Sequence, residues 1–444
     1  MDVISLPLYS RLIVAYAQPL NEDESYIGRN FKWNFLACSM DNGLFMTALS
    51  MLSTTTILPA FVMNLTPSYV LIGLISTVSV AGWSLPQILG AHYVAKFPVK
   101  KDMIVVVTAL ERCPWLALGL FIIFFPSTGA DAMLTLFFLV FTMTTVVSGL
   151  LGPAWLEMIA KIIPTRWRGK FFGFSFFVGS AVGTLGALLA GSLLQSYGFP
   201  YGFAYCFLIA FSLQVCSWAF LAIVREPEDP VAREPISFGR YLADLPSIAR
   251  SDRNFELYLI SSIVLSLGAL GSPFYIVAAI GDLKPSGELI GLFTALYMGG
   301  QAFTNFLWGL LGDRYGHKKV LQLGAAIELS AGALAAFASS TSAYGLVFLL
   351  SGISISAFTV SGLSIVLEFS APERRPIYVG LVNTLRSPFQ ALAPLLGGAL
   401  ADAVPFRTIF LLGAVVVAIG LMLLMFVREP RRALASKPEL GSDC

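Results

Sequence analysis

The chain is a succession of apolar runs, each about as long as a bilayer is thick, and that succession leaves few folds open. A helix needs about 20 mostly apolar residues to cross roughly 30 Å of hydrocarbon, and only helices or closed barrels satisfy the backbone there. Long unbroken runs, such as that from Ile409 to Val427, exclude the alternating pattern of a barrel. Spans are expected near 33–63, 69–95, 103–126, 131–157, 169–195, 201–224, 255–280, 287–311, 318–339, 343–368, 377–400 and 406–427. Only 12% of the residues are charged, against about 25% in soluble domains, so lipid must be the main solvent. The fold class is therefore an all-α polytopic membrane protein with twelve transmembrane helices.

An even number of spans puts both termini on one side, and Lys/Arg residues mark the cytoplasmic side. Of the 28 Lys and Arg residues, 24 fall on one side, and the other holds only Lys284 and Arg407. Both termini are expected in the cytoplasm, in a cell inner (plasma) membrane. The short apolar stretch Leu12 to Ala17 lacks the length and flanks of a signal peptide. A formal net charge of +2 does not suggest a nucleic-acid partner. Cys38, Cys113, Cys206, Cys216 and Cys444 have no metal-ligand spacing and read as small side chains, so neither metal nor cofactor is expected.

The two halves of the sequence resemble each other. Leu71-Ile72-Gly73-Leu74 returns as Leu289-Ile290-Gly291-Leu292, and Val224-Arg225-Glu226-Pro227 as Val427-Arg428-Glu429-Pro430. Glu157, Pro164 and Arg168 have counterparts in Glu368, Pro372 and Arg375, and Gly186 to Gly191 parallels Ala393 to Gly398. The charged loop from Glu226 to Arg253 divides the spans six and six. The expected organisation is an N-terminal segment 1–32, a six-helix bundle 33–225, a central loop 226–253, a second bundle 254–428 and a tail 429–444. Two pseudo-symmetric bundles can rock about a shared interface and expose a central site to each side in turn.

Between the eighth and ninth spans lies Gly309-Leu-Leu-Gly-Asp313-Arg314-Tyr-Gly316-His-Lys318-Lys319, which closely resembles the signature loop of the major facilitator superfamily. With the twelve spans, the central loop and the repeat, the resemblance covers essentially the whole chain. The first-half copy is degraded: Gly90-Ala91-His92-Tyr93 is followed by Lys96, Lys100 and Lys101 without the Asp. Gly309 and Gly316 permit close packing and a tight turn, and Asp313 can sit against a helix N-terminus. Arg314 and the lysines can pair with Glu157 or Glu368 at the same face. The resemblance implies a latch that holds the cytoplasmic side closed in one conformation, and a monomer. Ala393-Pro394-Leu-Leu-Gly397-Gly398 is similar to an element that exporters of the family carry in the fifth span, displaced here to the eleventh. Small residues at close helix contacts explain it equally well.

Ionisable residues inside a span are costly, so each is a functional candidate. Asp41, Glu111, Arg112, Glu328 and Arg386 lie in the first, third, third, ninth and eleventh spans, each about 9 to 10 residues, or roughly 14 Å, from the cytoplasmic end. They share a level near the midplane. Asp41 is a candidate for proton coupling, or pairs structurally with Asn42 or another helix. Arg386, flanked by Asn383, Ser387 and Gln390, could bind an anionic substrate group or act as counter-ion to Asp41. Glu111 and Glu328 occupy matching places and read first as ion-pair residues holding helices in register, Glu111 with Arg112 or Arg386. Gln301, Asn305, Gln87, Ser351, Ser354 and Ser361 add polar walls to a cavity.

No GxxxxGK[ST] loop is present to harness ATP, so an ion gradient, with H+ as the coupling ion, is the expected drive. The leading expectation is secondary active transport of a small molecule, leaning to efflux of a drug-like compound or metabolite. The alternative is an uptake symporter for a small polar or anionic metabolite. From another class comes a non-transporting sensor or assembly subunit on the same fold. A membrane enzyme is disfavoured, because His92 and His317 lie in separate turns and no HExxH or GxSxG motif occurs.

Overall fold

A computed structural model describes residues 26–87, 89–90, 97–228, 252–370 and 375–430. The expected features at Ala91 to Lys96, in most of the central loop, at Pro372, and in most of the two terminal segments lie outside these residues, as does the Arg375 side chain.

Helices lie in all twelve expected spans, and the one expected at 69–95 is described over Tyr69–Ser84. In chain order they are α1 (Tyr26–Met51) and α2 (Ile57–Met63), α3 (Tyr69–Ser84), α4 (Lys100–Phe124), α5 (Ala130–Ile162), α6 (Thr165–Tyr197), α7 (Tyr201–Ala222), α8 (Arg253–Leu267) and α9 (Tyr275–Leu283). Then follow α10 (Gly287–Tyr315), α11 (His317–Ala335), α12 (Thr341–Glu368), α13 (Arg375–Ala401) and α14 (Phe406–Phe426). Side-chain caps set several starts: Ser68, Asp252, Ser286 and Ser340 accept hydrogen bonds from the first free N–H groups of α3, α8, α10 and α12.

The first and seventh spans are each broken in two. Between α1 and α2, Ser53 Oγ accepts from Thr56 Oγ1 at 2.7 Å, which gives the chain a local alternative to the helix ladder. Between α8 and α9 the run Gly268 to Phe274 forms two 3₁₀ turns around Gly271 and Pro273. The first span also starts earlier than expected, at Tyr26, because polar Asn30 and Asn34 are buried by partners rather than left to water.

The apolar core shows how the halves meet. Away from the basic residues one continuous cluster runs through both, joining Phe61, Phe137 and Phe207 to Phe274, Phe293 and Phe348. At the basic end there are two main clusters, one built on Phe31, Met158 and Phe171 and the other on Phe255, Tyr378 and Leu424. The helices that bridge the halves follow the same gradient. α6 packs on α10 and α3 on α13. A Cβ on Gly291 would overlap the Gly191 backbone, and one on Gly73 would overlap the Pro394 carbonyl, so both pairs touch main chain to main chain. Nearer the basic end Gly169, Gly173 and Gly309 face open space. Among the described residues three hydrogen bonds join the halves, Thr56 to Thr294, Thr77 to the Ala391 carbonyl, and the Gly287 N–H to Gln195 Oε1.

Candidate functional site

The membrane-embedded charges fall into two separate groups. In the first half, α1 supplies Asp41, α4 supplies Glu111 and Arg112, and α5 and α7 supply their partners. Ser217 donates to Asp41 Oδ1 at 2.6 Å, and Trp155 Nε1 donates to Oδ2 at 3.4 Å. Arg112 donates to the Gln214 carbonyl at 2.6 Å and to Ser217 Oγ at 3.3 Å, so one hydroxyl links the guanidinium to the carboxylate. Glu111 accepts from Ser148. All three charged residues are buried. Pro114, one residue past Cys113 in α4, removes a ladder N–H beside them. Asn42 does not pair with Asp41; its Nδ2 donates to Ser175 Oγ at 2.9 Å.

In the second half the charges line space. A cavity of about 160 Å³ is bounded by α8, α10, α11, α12 and α13, with Thr55 reaching in from the first half. Glu328 and Arg386 both face it, with Tyr258, Tyr275, Tyr297 and a row of serines. Arg386 Nε and Ser351 Oγ are buried there without a hydrogen-bond partner. Ser354 donates to the Gly324 carbonyl at 2.9 Å. Arg386 and Gln390 also line a second, polar cleft of about 320 Å³ between α3 and α13, with Asn383, Ser387, Ser79, Trp83 and Gln87.

Several expectations about pairing are revised by this geometry. Arg386 is not the counter-ion of Asp41 or Glu111, since the hydrogen bonds of each carboxylate come from its own half. Glu328 lines the cavity, and among the described residues it enters no ion pair. Gln301 contacts Met298 Sδ, and neither it nor Asn305 is among the cavity walls. Ser361 turns away to His317 Nδ1 at 3.1 Å. Trp155, Ser217, Ser148 and the backbone of Gln214 were missed; the one local signal was Ser217, a polar residue in the largely apolar α7.

Among the described contacts at the basic end, those of the signature loop lie within its own half. Gly316 takes φ +97°, a conformation open to glycine, and leaves no room for a Cβ against the Glu429 carboxylate. His317 Nε2 lies 3.9 Å from Asp313 and 3.8 Å from Glu368, while Arg314 and Lys319 stand over the Tyr315 ring. Lys318 donates to the Met425 carbonyl. In the first half Glu157 pairs with Lys100 at 3.6 Å, and Arg168 donates to the Ile163 and Ala160 carbonyls. Glu226 accepts from the backbone N–H groups of Lys100 and Lys101 and pairs with Lys161 at 2.8 Å, closing the start of α4. Gly309, expected at a close contact, meets open space.

Bundled spanning helices, broken first and seventh spans, duplicated end motifs and a charged cavity at membrane depth define a polytopic membrane protein of repeated design. Its sequence matches the family model of the Major Facilitator Superfamily over residues 43–280 and 257–441, and the chain belongs to that family. It is 25% identical over 189 residues to the multidrug resistance protein MdtL of Salmonella schwarzengrund (strain CVM19633), covering 42% of this chain and 47% of that protein. The match to MdtL of Escherichia coli (strain K12 / DH10B) is 25% over 194 residues, 43% of this chain and 49% of the relative. The chain thus spans about half the length of these curated relatives. Among solved structures, a bacterial homologue of the human lysosomal transporter Spinster, in an inward-facing and unoccupied conformation, is similar with a TM-score of 0.67 at 14% identity, over 92% of this chain and 99% of that one. The human organic anion transporter MFSD10 (TETRAN) gives 0.61 at 15% identity, over 88% and 99%. These likenesses show the fold.

Proposed function

We propose that this protein is a proton-coupled secondary transporter that moves a small amphipathic compound or metabolite out of the cell by alternating access. The observation that carries the reading is the division of the core: one cluster shared by both halves away from the basic residues, and separate clusters at the basic end. Such a molecule is sealed at one face and parted at the other, with a polar cavity between. On this reading 33–225 and 254–428 are the two moving bundles, the basic end is cytoplasmic, and the state is open to the cytoplasm. Asp41, buried and held by Ser217 and Trp155, carries the coupled proton. Efflux is favoured by the likeness to MdtL. Uptake of a polar metabolite is the second reading, favoured by the Arg386-lined cleft.

The test uses everted membrane vesicles containing the full chain, energised to an acidic lumen and followed with a pH-sensitive dye. Ethidium, tetraphenylphosphonium, amino acids and carboxylates are added in turn. An exporter releases protons when its substrate is added, and Asp41→Asn removes the response. Proton release that persists undiminished in Asp41→Asn refutes the assigned coupling residue, and no response to any compound refutes proton-coupled efflux.

A further inference from the structure

Two opposite charges face one cavity without neutralising each other. Glu328 and Arg386 both line the space within the second half, and among the described residues neither enters a salt bridge. Arg386 Nε has no acceptor, and Ser351 Oγ, only 7% exposed on the same wall, has no partner. The first half is built differently: Asp41, Glu111 and Arg112 are each held by hydrogen bonds from their own bundle. The contrast is one of placement: Arg112 Nε also lacks an acceptor, but the first-half charges are bonded within their own bundle, whereas Glu328 and Arg386 face open space. Charges left uncompensated at membrane depth are expensive and mark solute or ion pathways.

Resting on the reading of this cavity as the solute site, we propose that its occupant is a small organic zwitterion. Its anionic group meets Arg386, whose planar fork suits a carboxylate, and its cationic group faces Glu328 and the rings of Tyr275 and Tyr297. An anion alone leaves Glu328 uncompensated, a cation alone leaves Arg386, and a neutral solute leaves both. A zwitterion answers both charges and adds no net charge to the body that crosses the membrane. The unpaired Ser351 hydroxyl supplies a further hydrogen bond from the wall of the cavity.

The proposal is tested on the purified full chain in detergent by thermal unfolding, since a ligand that binds the folded state raises its apparent stability. Two series are used, each varying only charge: L-phenylalanine, 3-phenylpropionate and 2-phenylethylamine, and the more widely separated 5-aminovalerate, valerate and pentylamine. The expected result is that the zwitterion of at least one series raises the midpoint while its anion and amine do not. The shift is lost in both Arg386→Gln and Glu328→Gln, and Glu328→Asp, which keeps the charge, restores part of it should Glu328→Gln fold poorly. Equal shifts from the anion, surviving in Glu328→Gln, overturn the proposal, as does the absence of any shift from either zwitterion. Proton release in vesicles with other compounds but no zwitterion binding leaves the transport reading intact and removes this one. Zwitterion binding without proton release does the reverse.

Discussion

Asn34 exchanges two hydrogen bonds with the backbone of Arg225: its Nδ2 donates to the carbonyl at 2.8 Å and its Oδ1 accepts from the N–H at 2.9 Å. Asn254 repeats the arrangement with Arg428, at 2.9 and 2.7 Å. The first helix of each half is thus stapled to the end of its last, and the duplicated Val-Arg-Glu-Pro segments are the other side of both staples. The sequence repeat therefore has a structural meaning beyond the sharing of apolar residue types.

Truncating the staple removes a donor and an acceptor at once. Asn34 is 1% exposed, so Asn34→Ala strands a backbone N–H and C=O and is expected to cost about 1–3 kcal/mol. Asn254 is only partly buried, and water can replace part of what Asn254→Ala removes. Equilibrium unfolding in mixed micelles should rank Asn34→Ala as the more damaging. Equal effects would show that burial does not set the cost.

Ser217 is the hinge of the first-half network, because it donates to Asp41 while accepting from Arg112. Ser217→Ala takes a hydrogen bond from a buried carboxylate and a buried guanidinium together, a loss expected at about 2–4 kcal/mol from two charge-assisted bonds. Ser212→Ala on the same helix, exposed and bonded back to the Leu208 carbonyl, should be nearly silent. The comparison is made by unfolding in the same micelles, and a silent Ser217→Ala would refute the linkage.

Residue pattern made some of this legible and hid the rest for definite reasons. The twelve spans and the two-half design follow from apolar length and repeated motifs, which are local properties of the chain. The candidate charges Asp41, Arg112, Glu328 and Arg386 could be picked out because a charge inside an apolar run stands out locally. Their partners were not: Ser217 lies 176 residues from Asp41 and Trp155 lies 114, distances along the chain that carry no periodic signal. Glu111 and Glu328 occupy equivalent sequence places, yet only Glu328 lines the cavity, while Glu111 is bonded to Ser148 within the first half. The breaks at Ser53 to Thr56 and at Gly268 to Phe274 were masked because small polar residues and glycine are tolerated in membrane helices.

Gly191 and Gly291 set how closely the two halves approach away from the basic end. Gly291→Val places three carbons where the Gly191 backbone lies, and no flexible side chain is available to yield. The substitution is expected to drive the populated state away from closure at that end. Spin labels at Asn64→Cys and Lys284→Cys, in a background without the native cysteines, should move apart, and the distance distribution should broaden. Gly309→Val, which meets open space, is the control and should leave the distribution unchanged. An unaltered distance in Gly291→Val would mean that the contact does not hold this end shut.

Thr56 and Thr294 offer the sharpest test of the alternating-access reading, because their hydroxyls meet at 2.6 Å across the two halves and both side chains are buried. Side chains that share such a contact are within reach of a disulfide when both are cysteine. In a background without the native cysteines, Thr56→Cys with Thr294→Cys should cross-link under mild oxidation and pin the closed end. Solute then still reaches the cavity from the basic end, so ligand-induced thermal stabilisation is retained, whereas proton release in everted vesicles stops. Reduction of the cross-link should restore it, which separates locking from misfolding. If the oxidised protein keeps its full proton response, opening at Thr56 and Thr294 is not part of the cycle and solute must cross by another route.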